Sequence, residues 1–199
     1  MNKTALVIAL MVPSSLLGQE TRELGAHEHG HSALNIAIEG TQVAMELEAP
    51  GVDIVGFEYE AETAEDLAKL DAAIAKLSKP LALFVLPDAA GCTVVSSNAG
   101  LIDEHHDDAE KHAEHEHEAE GEDHAHDDHA EKEGAGHTEF HAEYLLDCAD
   151  PSALDGIDFV FFDVFPNAQE VEVQMVSGKG SQGFEVKRAA PVLDLSGLI

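Results

Sequence analysis

The sequence predicts an α+β fold: a single domain rich in antiparallel strands, with one main helix and a long insertion. Three observations carry that reading. Apolar side chains recur with period two along most of the chain. Near residue 70 the period switches to that of a helix. From 103 to 137 apolar residues other than Ala almost vanish.

The elements follow in order. Lys3, the apolar run Ala5–Val12, Pro13 and the small residues Ser14, Ser15 and Gly18 have the layout of a secretory signal peptide, residues 1–18. The run is too short to span a bilayer, and Gln19 offers no lipid acceptor, so the expectation is an exported, periplasmic chain without stable membrane association. Leu34, Ile36 and Ile38, then Val43, Met45 and Leu47, alternate about the turn Glu39–Gln42 and predict a hairpin over 33–49. Pro50 and Gly51 break it, and 52–59 reads as a further strand or extended segment. Leu67, Leu70, Ile74 and Leu77 share a helical face, with Thr63 and Asp66 as a cap-like start and Pro80 as a stop, which predicts the main helix over about 63–79. A short apolar strand over 81–86, a turn over 87–91 and a strand from Cys92 to Val95 complete the first part, 19–102.

Residues 103–137 hold 15 acids, 9 His and 2 Lys among 35 residues. Such a segment buries too little apolar surface to offset its ordering entropy, so a disordered insertion is expected. The fold resumes in 138–199. Phe140, Ala142, Tyr144, Leu146 and Cys148 take one strand face, and Glu139, His141, Glu143 and Asp147 the other. A short turn or helix after Pro151 leads to the apolar run Phe159–Phe165, ended by Pro166. Val171, Val173 and Met175 alternate, and Gly178–Gly180 connects to a last strand near Phe184 and Val186. Each structured part is marginal alone, so one shared core is expected.

In an exported chain the two cysteines, Cys92 and Cys148, are expected to pair. The bridge would tie the halves together at the base of the insertion. The chain-entropy model credits it with about 4 kcal/mol.

Charge narrows the function. Forty acids against ten Lys and Arg give −30, which repels nucleic acid and anionic lipid and invites cations. The 13 His are about three times the usual share. Nine of them, His105, His106, His112, His115, His117, His124, His126, His129 and His137, lie in the insertion. Neutral imidazole ligates borderline metals, and a flexible segment with an rms span of about 33 Å brings successive donors to an ion almost intramolecularly. Zn²⁺ is the first expectation, with Cu²⁺ and Ni²⁺ open on ligand chemistry. Binding should weaken as pH falls through about 6.5, since each imidazole must be neutral to coordinate. A second cluster, His27, His29 and His31, could meet His137, Glu139, His141 and Glu143 in an ordered site if the N-terminal segment lies beside that strand.

Catalysis finds little support. A recognisable nucleophile context and Gly-rich phosphate loops are absent from the sequence. The expectation is a binding protein rather than an enzyme. A metal-dependent hydrolase using His29 and His141 is the remaining enzymatic alternative.

The order of several motifs resembles the ZrgA-like family of bacterial periplasmic zinc-binding proteins. These are His27-Glu28-His29-Gly30, Leu47-Glu48-Ala49-Pro50, Gly56-Phe57-Glu58 and Ala90-Gly91-Cys92. Past the insertion come Glu139-Phe140, Tyr144, Cys148, Phe165-Pro166 and Val171-Glu172-Val173-Gln174. The resemblance implies zinc as the metal and zinc uptake as the context, with a zinc ABC importer or its solute-binding protein as partner. It carries over the central His together with His27 and His29 as ligands. The rival reading is a protein that sequesters excess copper or nickel.

Overall fold

A computed structural model of the chain describes residues 30–102 and 138–199. The signal-peptide and disordered-insertion expectations fall on 1–18 and 103–137, outside the described residues.

The predicted hairpin is β1 (His31–Glu39) and β2 (Gln42–Pro50). Glu39 pairs with Gln42, which leaves a two-residue turn, and Gly40 takes the left-handed φ of 58° that this turn demands. The expected strand at 52–59 is not formed. A single helical turn, α1 (Gly51–Ile54), stands there. Gly51 donates its N–H to the Thr138 carbonyl at 2.6 Å, and a Cβ at this position would lie 2.6 Å from the Phe57 carbonyl oxygen, so only glycine fits. The turn also points the Asp53 carboxylate inward, where it accepts the Gly30 N–H at 2.7 Å and fixes the start of β1.

The main helix is α2 (Ala64–Leu77). Thr63 caps it by accepting the Asp66 N–H at 3.1 Å, and its hydroxyl donates to the Asp66 carboxylate at 2.7 Å. The buried stripe runs through Asp66, Leu70, Ala73 and Leu77, whereas Leu67 is 49% exposed, against expectation. Asp66, held by hydrogen bonds from Thr63 and Tyr59, takes a buried position on the helix where Leu67 was expected. The strand expected over 81–86 shrinks to β3 (Phe84–Val85), because Pro80 opens a second short helix, α3 (Pro80–Leu83).

β4 (Cys92–Ile102) is far longer than its apolar start suggests, since it pairs along all of β5 (Glu139–Cys148), with a bulge between Val94 and Ser96. Then come β6 (Gly156–Phe159), α4 (Phe161–Val164), β7 (Glu170–Ser177) and β8 (Gly180–Lys187). β8 is not the last strand. β9 (Val192–Asp194) follows and pairs with β6.

The large sheet has the order β4-β5-β2-β1-β7-β8, antiparallel except for the parallel pair β1 and β7. A smaller sheet runs β3-β6-β9. Strands from before and after the insertion interleave within the large sheet, with β5 between β4 and β2 and with β1 beside β7, so a single sheet-rich domain results with one core cluster. One face of the large sheet is apolar, with Leu34, Ile36, Met45, Leu47, Phe140, Leu146 and Val173 buried. A layer of Phe84, Phe159, Phe161, Phe162 and Phe165 belongs to the same core. Tyr144 joins the layers: its ring lies 6.4 Å from that of Phe84, and its hydroxyl donates to the Leu77 carbonyl of α2 at 2.9 Å. Burial pushes the Tyr144 phenol far above its ordinary pKa.

Cys92 and Cys148 are bridged, directly opposite one another on β4 and β5. The bridge is not at the base of the insertion. Residues 103–137 leave from the other end of this strand pair, about 33 Å away at 3.3 Å per residue along β4.

Candidate metal centre

The second face of the large sheet carries polar side chains, and pairing register decides which of them meet. On β2, Glu46 and Glu48 alternate with buried Met45 and Leu47 and so point to this face. On β5, His141 lies directly across from Glu48, and Glu143 across from Glu46. The His141 Nε2 is 2.9 Å from Glu46 Oε1, a hydrogen bond donated by the imidazole when Nε2 carries the proton. One ligand atom each from Glu46, Glu48 and His141 lies within 4.8 Å of the others, and all three residues are half-buried. This is the one such group of three or more metal-ligating side chains among the described residues. Its flanks in the same row are small: Gly100 across from His141 on β4, and Ala33 across from Glu48 on β1.

A second carboxylate cluster sits on the same face, on β7 and β8. Glu170, Glu172 and Glu185 line a shallow depression with Gln174, Gly183 and Phe184. Here a fixed cation is present. Lys187 Nζ lies 3.2 Å from Glu170 and 3.3 Å from Glu185, and these partners, Glu170 foremost, raise the lysine pKa. His31 Nδ1 is 3.8 Å from the other Glu170 oxygen. A cleft at the small sheet is lined by Asp88, Asp155, Asp158 and Asp194, among other residues, but these carboxylates do not converge on a common point.

Of the histidines singled out in the sequence, His31 and His141 are described. The other eleven, at 27, 29, 105, 106, 112, 115, 117, 124, 126, 129 and 137, lie outside the described residues. His31 does not stand beside β5. It pairs with Glu170 of β7, and β2 separates its strand from that of His141. The partners of His141 are instead Glu46 and Glu48, which a search led by histidine overlooks. Their signal was present, since both alternate with the core residues of a predicted strand. What was missing was the knowledge that β2 and β5 are neighbours.

Residues 26–195 match the family model described as ZrgA family zinc uptake protein. The chain belongs to the ZrgA family. A comparison with curated proteins finds no match. Membership places the ZrgA-family chain in a zinc uptake family, which is not an enzyme family. It also favours zinc as the cation for a centre of one imidazole and two carboxylates, donors that zinc accepts. Among the described residues no helix is long and apolar enough to cross a membrane.

Proposed function

We propose that this chain captures Zn²⁺ in the periplasm through the His-rich segment 103–137 and makes it available to a zinc ABC importer or its solute-binding protein. One observation carries the reading: a zinc uptake family member concentrates nine of its 13 His in 35 residues that join β4 to β5. The interleaved acids lower the electrostatic cost of bringing a dication in, and the neutral imidazoles supply the bonds. The disulfide, at the far end of the same strand pair, holds β4 and β5 together while the segment between them loads and unloads.

Calorimetric zinc titration of the oxidised full-length protein, beside a variant with His105, His106, His112, His115, His117, His124, His126 and His129 replaced by Ser, tests the proposal. Loss of most bound zinc in the variant is the expected result. Unchanged stoichiometry would remove the segment from the mechanism, and a deletion strain sensitive to added copper or nickel but not to zinc starvation would favour sequestration.

A further inference from the structure

We propose that Glu46, Glu48 and His141 form an ordered zinc site that keeps one coordination position open, a station at which zinc changes hands rather than a store. The inference rests on the zinc-handling reading above but concerns other residues.

The ligands are set on rigid backbone. Glu46 and Glu48 occupy alternate positions of one strand, and His141 is fixed across from Glu48 by the ladder between β2 and β5. Tetrahedral zinc at about 2.0–2.1 Å from N and O donors holds them about 3.3 Å apart. The His141 to Glu46 distance of 2.9 Å is already close to this, and the spread of up to 4.8 Å to the third ligand closes by rotation of half-exposed glutamates. No backbone movement is needed.

Charge points the same way. Glu46 and Glu48 bring two carboxylates to one imidazole, Glu143 lies across from Glu46 on β5, and no Lys or Arg among the described residues pairs with Glu46 or Glu48. The cluster on β7 and β8 shows the alternative, with Lys187 already between its carboxylates. Of the two, the centre on β2 and β5 has its cation position free for a dication.

Openness then distinguishes a transfer site from a store. Three protein ligands leave the fourth position of tetrahedral zinc to water or to an incoming donor, whereas closed structural sites fill all four. Among the described residues its flanks are open: a side chain added at Gly100 would meet no described atom within 4 Å, and Ala33 on the other flank is short. A set of one nitrogen and two oxygens holds zinc less tightly than several imidazoles, so ligand exchange is favoured. The position is apt, because His141 is two residues from the start of β5, where the chain returns from segment 103–137.

The test uses the full-length oxidised protein in three arms. Crystals grown with zinc are expected to show an anomalous zinc peak bonded to His141 and to at least one of the two glutamates. Equilibrium dialysis at buffered free zinc should find one zinc fewer per chain in the Glu46→Gln, Glu48→Gln double variant and in His141→Gln, with thermal unfolding confirming that each remains folded. In isotope exchange, the zinc lost in these variants should leave the wild-type protein at least tenfold faster than the rest. If the chain binds no zinc at all, the zinc reading itself fails. If total binding stays intact with no peak at this site and no loss in either variant, only the station is overturned. A peak with slow exchange overturns the transfer role.

Discussion

The centre on β2 and β5 and the cluster on β7 and β8 share one sheet face and much of their chemistry. Each sets carboxylates on adjacent antiparallel strands, and each has a histidine within 4 Å of a glutamate. They differ in what answers the negative charge. An ammonium from Lys187 bridges Glu170 and Glu185, while Glu46 and Glu48 are answered by one imidazole, a group able to ligate a metal. A sheet face dense in acids is thus not a cation site by default, since a lysine can already occupy the position between the carboxylates.

Exchanging those central residues breaks the comparison most sharply. His141→Lys would place a competing ammonium among the carboxylates, and zinc affinity at this centre should fall by about 100-fold or more, read by dialysis against buffered zinc. The reverse change, Lys187→Gln, should give the β7 and β8 cluster a measurable but weaker affinity for a divalent cation, about tenfold or more above wild type at that position, visible as an added zinc peak in crystals. Tyr144→Phe sharpens the contrast from the other face of β5. Removing the hydroxyl leaves the Leu77 carbonyl without its partner and should cost about 1 kcal/mol in denaturant unfolding, with zinc binding at His141 unchanged. Thr63→Ala, remote from both clusters, should cost a similar ~1 kcal/mol through the lost helix cap.

The smallest effect is on acid stability. The Thr63 hydroxyl, and after it the Lys69 ammonium, hold the Asp66 carboxyl below the ordinary aspartate value. A carboxyl depressed in the folded state contributes stability that is complete above its unfolded pKa of about 3.9 and is lost as pH falls through the lower folded value. Asp66→Asn should therefore flatten the acid limb of a stability profile below about pH 4.

The architecture was legible where periodicity and turn chemistry agree. The β1 and β2 hairpin, the α2 helix with its Thr63 cap, the two faces of β5 and the alternation in β7 all follow from local pattern. Legibility failed where a partner overrides propensity. Cys92–Ile102 contains Ser96-Ser97-Asn98-Ala99-Gly100, a poor strand signal, yet pairing with β5 extends it to eleven residues. Residues 51–54 turn because Asp53 must reach the N–H of Gly30, a demand from 23 positions away.

By itself the sequence determined the alternation of core and outer face, the pairing of Cys92 with Cys148, the family and, through its His and acid content, the expectation of a cation ligand, because each depends on local spacing, motif order or composition. Only the tertiary structure decided that β2 lies between β1 and β5, which separates His31 from His141 and gives His141 the carboxylates of Glu46 and Glu48. Strand order is a long-range choice made by burial of the apolar face, and side chains on the outer face become neighbours only as a consequence of it.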